Sequence, residues 1–263
     1  MRGFCLAVIF FCLAFGWSRS AFAGRIDDLI KQLKSDDFRV RTQAALALGA
    51  SRDKAAVQPL CGALSDSNNT VKMAAAAGLG KLGFDSGKPC LKTAKGKEKD
   101  ATVISAIDKA IEKITLGGDP PPPGAGAKYY LAIQVTNKTK RGAIDVEGVV
   151  RKAMQAKCLA SSTCAVAPRS ETAAQGKEIT KNKNLKGYLL IASVEPFNYS
   201  GGNLTVQLKV TMWTYPDKAL KAEFGPKLKQ DQTPSEDRAS EDVLMGMASE
   251  TAVESFLKVA ASL

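Results

Sequence analysis

The chain has 263 residues, 45% of them hydrophobic and 24% charged, with 37 lysines and arginines against 26 acids and no histidine. It is long enough for two domains of ordinary size, each with its own core. The missing histidine excludes Ser-His-Asp and Cys-His nucleophile systems and His-ligated zinc, and it removes the commonest acid–base group near neutral pH. Carboxylate, lysine and tyrosine chemistry stay open.

The amino terminus reads as a secretory leader. Arg2 gives a positive start, "FCLAVIFFCLAFGW" an apolar run, and "AFA" before Gly24 the small-x-small pattern of a cleavage site, placing cleavage after Ala23. The run falls short of the roughly 18–20 residues that span a bilayer, and no later segment does better, so the chain is expected not to span a membrane. Bulky residues precede Cys5 and Cys12, so no lipid anchor is expected. Arg2 and Arg19 leave with the leader, which keeps 35 basic against 26 acidic side chains. For an exported protein the matching polyanions are anionic wall or lipid surfaces. Nucleic acid is not expected, since no aromatics interleave with the lysines as a stacking platform requires. The basic runs "KTAKGKEKD" and "KEITKNKNLK" read first as solvated surface.

Export also fixes how the cysteines are read. Cys61, Cys90, Cys158 and Cys164 remain after the leader, an even number in an oxidising compartment. Three pairings can be written. Cys61 with Cys90 and Cys158 with Cys164 is favoured, because each pair then lies inside one candidate domain, with free buried thiols as the alternative for the first pair.

From residue 24 to 116 the pattern is helical and repeated. "IDDLIKQLKS" carries Ile26, Leu29, Ile30 and Leu33 at helical spacing. "DDFRVRTQAALALGA" follows, with Asp37 at a helix start. "DKAAVQPLCGALSD" and "NTVKMAAAAGLGKLG" write the pair again, and "SGKPCLKTAKGK" with "DATVISAIDKAIEKI" gives a degenerate third. A hairpin of about thirty residues cannot bury its apolar stripe alone, whereas stacked copies share one core. The alanines let helices approach, with Leu46, Leu48 and Leu79 expected to fill the space between them. Asp36, Val40, Arg41, Ala44, Ala45, Leu48 and Gly49, echoed by Asp66, Val71, Lys72, Ala75, Ala76, Leu79 and Gly80, resemble HEAT repeats of the short bacterial kind. The resemblance implies a surface that binds another protein, with Arg41 and Lys72 as candidate contact residues.

"LGGDPPPPGAGAK" then reads as a linker over 117–127, its prolines extended and semi-rigid. Beyond it, over 128–263, come a strand at "KYYLAIQVT", a helix at "DVEGVVRKAMQAKC", a short strand at "TCAVA" and a helix at "ETAAQGKEITKN". "GYLLIASVEPF" and "NLTVQLKVTMWTY" form a hairpin through "NYSGGN". The last helix is expected to open at "TPSE", with Thr233 as its cap and Glu236 closing a capping box. The fold class is therefore multidomain: an all-α helical-hairpin solenoid of about three units, and an α+β domain in the order β-α-β-α-β-β-α.

Asn137, Lys138 and Thr139 after the first strand, Ile144 and Asp145 opening the helix, and the Tyr188 strand leading into a hairpin resemble a periplasmic domain of bacterial envelope proteins. That family includes activators of penicillin-binding proteins, the curli secretion protein and the amino-terminal domain of the Tol system's β-propeller protein. The resemblance implies a domain that binds other envelope proteins, in the setting of cell-wall synthesis or outer-membrane assembly, and that has no active site.

Chemistry is sparse by comparison. Asp27/Asp28, Asp36/Asp37, Glu236/Asp237 and Glu241/Asp242 are paired carboxylates such as a wall hydrolase would need. All sit near expected helix starts, where acids serve as caps. No catalytic set, cofactor or metal site is expected. Tyr129, Trp213 and Tyr215 are candidate contact aromatics, with burial in the sheet as the competing reading for Trp213. The expectation is an exported, non-enzymatic scaffold of the cell envelope. A carboxylate-dependent wall hydrolase and a basic module for wall or lipid polyanions are the alternatives.

Overall fold

The computed structural model describes residues 20–263. All but the last four residues of the expected leader, 1–23, lie outside them. The chain forms two compact units, the first ending at Ile114 and the second beginning at Thr115.

The first unit is a stack of helical hairpins. Helix α1 (Ser20–Gln32) pairs with α2 (Phe38–Ala50), α3 (Val57–Ala63) with α4 (Asn69–Leu82), and α5 (Lys88–Lys97) with α6 (Ala101–Thr115). Each second helix begins on the same device. The side chains of Asp37, Asn68 and Asp100 accept from the backbone N–H groups of Arg39, Thr70 and Thr102 at 2.9, 2.9 and 2.8 Å. Ala44, Ala45, Leu48, Leu60, Ala75, Leu79, Leu91, Ile107 and Ile114 form the shared core. A side chain at Gly49 would strike the Cα of Gly78, and one at Gly80 would come 3.0 Å from the Cα of Ala110. Consecutive second helices therefore pack backbone to backbone. Leu46 does not join them: it is 49% exposed. Two residues along a helix is a rotation of roughly 200°, so with Leu48 on the core face Leu46 faces away from it.

The second unit is a curled mixed sheet with helices on both faces. Strands β1 (Tyr129–Asn137), β2 (Cys164–Val166) and β3 (Lys186–Val194) are parallel, joined by α7 (Ala143–Leu159) and α8 (Ala173–Asn182). β4 (Asn198–Ser200) turns through Gly201 and Gly202, whose φ values of 59° and 77° suit glycine, into the long β5 (Asn203–Thr214). The order is β2-β1-β3-β5-β4. On one edge β5 takes β4 and then β3; on the other it takes β7 (Lys227–Gln230) and β6 (Leu220–Phe224). Leu204, Val206, Leu208, Val210 and Met212 alternate into the main core, where α7 and α9 (Arg238–Ser262) supply Val150, Met154, Met245 and Phe256.

Two sequence expectations change here. β4, β6 and β7 add to the expected order: β4 lies within the expected turn, and β6 and β7 are charged edge strands with little apolar alternation. The last helix starts four residues later than expected, with Asp237 accepting from the N–H of Ala239 at 3.0 Å. Thr233 is buried instead of capping: its N–H donates to the carbonyl of Gly202 at 2.8 Å, and its hydroxyl accepts from Gln230 at 3.1 Å. Those contacts hold residues 231–236 against the β4–β5 turn and delay the helix.

Candidate functional site

The candidate contact cations of the first unit are taken up inside it. Arg41 grips Asp66 with two guanidinium nitrogens, Nε to Oδ2 at 2.7 Å and Nη2 to Oδ1 at 2.8 Å, and gives Nη1 to the Ser35 carbonyl at 2.8 Å. Lys72 repeats the move one unit on, with Nζ 2.7 Å from Oε2 of Glu98. All four side chains are under a fifth exposed. The acids also organise the turns: Asp66 accepts from the N–H of Asn68 at 2.8 Å, and Glu98 from those of Lys99 and Asp100 at 2.8 and 3.0 Å. The hydrogen bond from Lys72, with those backbone donors, draws the Glu98 carboxyl down to about 2. Arg41 likewise holds Asp66 below its ordinary range. The first two second helices, α2 and α4, thus each hand a cation to the acid that opens the next.

With those charges committed, the exposed side of α2 stands out by its apolar residues. Phe38 is 41% and Leu46 49% exposed, one on the first turn of α2 and one two turns on. Thr42 lies between them, half-buried, and its repeat equivalent on α4 is the half-buried Met73. Neither Phe38 nor Leu46 belongs to the repeat core. The sequence hid them: Leu46 reads as core until the helical phase is fixed by Ala45, Leu48 and Gly49.

The structure joins Cys61 to Cys90, between α3 and α5, and Cys158 to Cys164, between the end of α7 and β2. This is the favoured pairing.

The aromatic candidates of the second unit fall on two faces. Tyr129 packs on Tyr188 and Phe256, with ring centroids 6.2 Å away in each case. This is the face under α9. Tyr215 lies on the other, where its hydroxyl donates to Oε1 of Glu171 at 2.9 Å and Tyr130 donates to Oε2 of the same carboxylate. Burial, and then Glu171 itself, pushes both hydroxyls above the ordinary tyrosine range. Trp213 is half-buried, outside the core under α9, with Nε1 donating to Thr211 at 2.8 Å.

Several of the paired carboxylates are structural too, whereas Asp27 and Asp28 stand exposed on α1. Asp37 and Asp237 cap helices. Glu241 accepts from Tyr199 at 2.8 Å, and Glu241 and Asp242 both accept from Nη1 of Arg141, at 3.1 and 2.6 Å. Buried Arg151 donates to the Ile133 carbonyl at 2.6 Å and shares Glu147 with Arg169. Among the described residues no group of histidine, cysteine, aspartate or glutamate is arranged to hold a metal ion. No described helix is long and apolar enough to cross a membrane.

Residues 26–112 match the family model of HEAT repeats. Among solved structures, the chain is similar to the PelC dodecamer from Paraburkholderia phytofirmans, at 13% identity over 51% of this chain and 91% of that one, with a TM-score of 0.32. It is also similar to hypothetical protein CT253 from Chlamydia trachomatis, at 11% identity over 51% and 99% of the two chains, with a TM-score of 0.38. A third is lipoprotein GNA1162 from Neisseria meningitidis, at 12% identity over 50% and 99%, with a TM-score of 0.29. No curated protein matches.

Proposed function

We propose that the chain is an exported, non-enzymatic scaffold of the bacterial cell envelope whose HEAT array holds a partner protein on the exposed face of its second helices. The observation that carries this is the pair Phe38 and Leu46, large apolar side chains exposed on a helix whose small residues already satisfy the core and whose Arg41 is already paired. Exposed apolar side chains framed by polar ones suit a protein contact. The leader pattern and the two disulfides support an oxidising, extracytoplasmic setting. Employment of the paired acids in caps and ion pairs supports the non-enzymatic reading over a wall hydrolase.

The test is crosslinked capture from an envelope fraction with the full chain and with its Phe38→Asp, Leu46→Asp variant. A discrete protein held by the parent at moderate salt and lost by the variant supports the scaffold. Equal capture by both, or recovery of wall and lipid alone, refutes it.

A further inference from the structure

We infer that a lysine-lined hollow on the second unit binds a phosphate-bearing ligand. The hollow is about 700 Å³ and is lined by Lys177 and Lys181 of α8, Lys186 at the start of β3, and Lys221 of β6. Its walls are the Tyr188 and Tyr215–Pro216 backbone region, Thr180, Leu185 and Thr214.

One basic run, through α8 and the start of β3, and the distant strand β6 deliver like charges to this one place. All four lysines are exposed, and among the described residues none lies within ion-pair distance of an acid. Asp217 is the only acidic side chain in the lining. Some lysines elsewhere are paired with carboxylates, Lys72 with Glu98, Lys95 with Asp108, Lys138 with Glu195 and Lys157 with Glu254, and others stand exposed singly; in the hollow four converge. The helix dipole accounts for Lys181, which sits in the last turn of α8. It does not account for Lys177 one turn earlier, since like charges at i, i+4 repel, nor for Lys186 and Lys221 on strands. A concave cluster of unpaired ammonium groups favours a compact, multiply charged oxyanion, to which each lysine can offer up to three donors. Phosphate on a soluble molecule and phosphate in a lipid headgroup share that chemistry.

The test measures binding of two probes by the full chain without its leader: sodium tripolyphosphate in solution by calorimetry, and vesicles of phosphatidylcholine doped with phosphatidylglycerol by co-sedimentation. The hollow variant carries Lys177→Gln, Lys181→Gln, Lys186→Gln and Lys221→Gln. A control variant loses the same charge elsewhere, through Lys34→Gln, Lys81→Gln, Lys92→Gln and Lys97→Gln, with circular dichroism to verify that both are folded. At about 1 kcal/mol for each lysine near an anionic surface, the hollow variant should bind several hundredfold more weakly, whereas the control changes little. Tripolyphosphate binding without vesicle binding assigns the site to a soluble phosphate. Vesicle binding, alone or with tripolyphosphate, assigns it to a headgroup. If the parent binds neither probe, or the control variant loses as much as the hollow variant, the inference is overturned.

Discussion

The two disulfides close loops of very different length, and the difference predicts both how much each matters and where. Cys61 and Cys90 are 29 residues apart, and Cys158 and Cys164 are 6 apart. Taken as a restriction on the unfolded chain, the longer loop is worth about 3.5 kcal/mol and the shorter about 2. For a unit the size of the array, unfolding free energy falls by about 1 kcal/mol per M of urea, so Cys61→Ala with Cys90→Ala should move its midpoint down by about 3 M. The two signals can be read apart. In a chain that begins at Gly24, Trp213 is the sole tryptophan and lies in the second unit, whereas the all-helical array contributes strongly to the 222 nm circular dichroism. The Cys61/Cys90 variant should lose helical signal at low urea while Trp213 fluorescence holds. The Cys158→Ala, Cys164→Ala variant should shift the Trp213 transition by a smaller free energy and leave the early helical loss unchanged. If both variants move the same transition, or if the short-loop variant is the more destabilised, then the bonds do not act as separate entropic staples and the reasoning fails.

Gly49→Val should destabilise the array by about 1–3 kcal/mol in urea melts, because its Cβ has backbone in its way; Gly62→Ala, with open space around it, should be neutral or stabilising. Acid should weaken the array through Glu98. Its carboxyl is held at about 2 in the fold against an ordinary 4.5, so the stabilisation is present above 4.5 and disappears as pH falls toward 2. Glu98→Gln should flatten the fall of melting temperature over that window. In alkaline titration followed by ultraviolet absorbance, Tyr130 and Tyr215 should ionise only once the second unit unfolds. Their raised values mean that stability present below pH 10 is lost as pH rises above it, and Tyr130→Phe should cost about 1–2 kcal/mol in a urea melt at neutral pH by leaving Glu171 short of a donor.

What could be read from the residues follows the kind of force involved. Helix starts at Asp37 and the α8 cap at Thr172 are local, set by one side chain and the next two or three N–H groups, and the sequence carries them openly. The β5 alternation is legible for the same reason, since one face is wholly buried. β6 and β7 are held by hydrogen bonds to β5 and carry charge along an edge, so their composition says little. Thr233 shows a local signal overruled. It has the form of a capping box, yet its N–H is taken by the carbonyl of Gly202, in the β4–β5 turn that only the folded sheet brings near. The lysine hollow is legible only in part: Lys177, Lys181 and Lys186 share the basic run "KEITKNKNLK", whereas Lys221 joins them only in the folded unit.

The charge ladder is the instructive intermediate, since its partners are distant but its register is periodic. Arg41 and Lys72 stand 31 residues apart; Asp66 and Glu98 stand 32 apart. Aligning the acids as well as the cations would have paired each cation with the following acid. The same alignment shows where the ladder stops. In the first hairpin the acid's place is taken by Ser35, whose hydroxyl still accepts from the N–H of Asp37 at 3.3 Å but which offers no charge to a preceding unit. In the third the cation's place is taken by Ile104, so nothing reaches toward a following one. The middle hairpin alone carries both Asp66 and Lys72. An endless array would repeat both charges in every unit, whereas a closed one needs a cation at its first unit and an acid at its last, because an unpaired member at either end would lose its partner without losing its partial burial. The ladder therefore specifies an order, not merely an attachment. Exchanging the pair as Lys72→Glu with Glu98→Lys keeps the charge contact but gives up the bonds that Glu98 accepts from the N–H groups of Lys99 and Asp100, whereas Lys72→Glu alone sets two acids against each other. Recovery in the exchanged variant of part of the single variant's lost melting temperature would establish that the charges, and not the stems of the side chains, hold consecutive units in register.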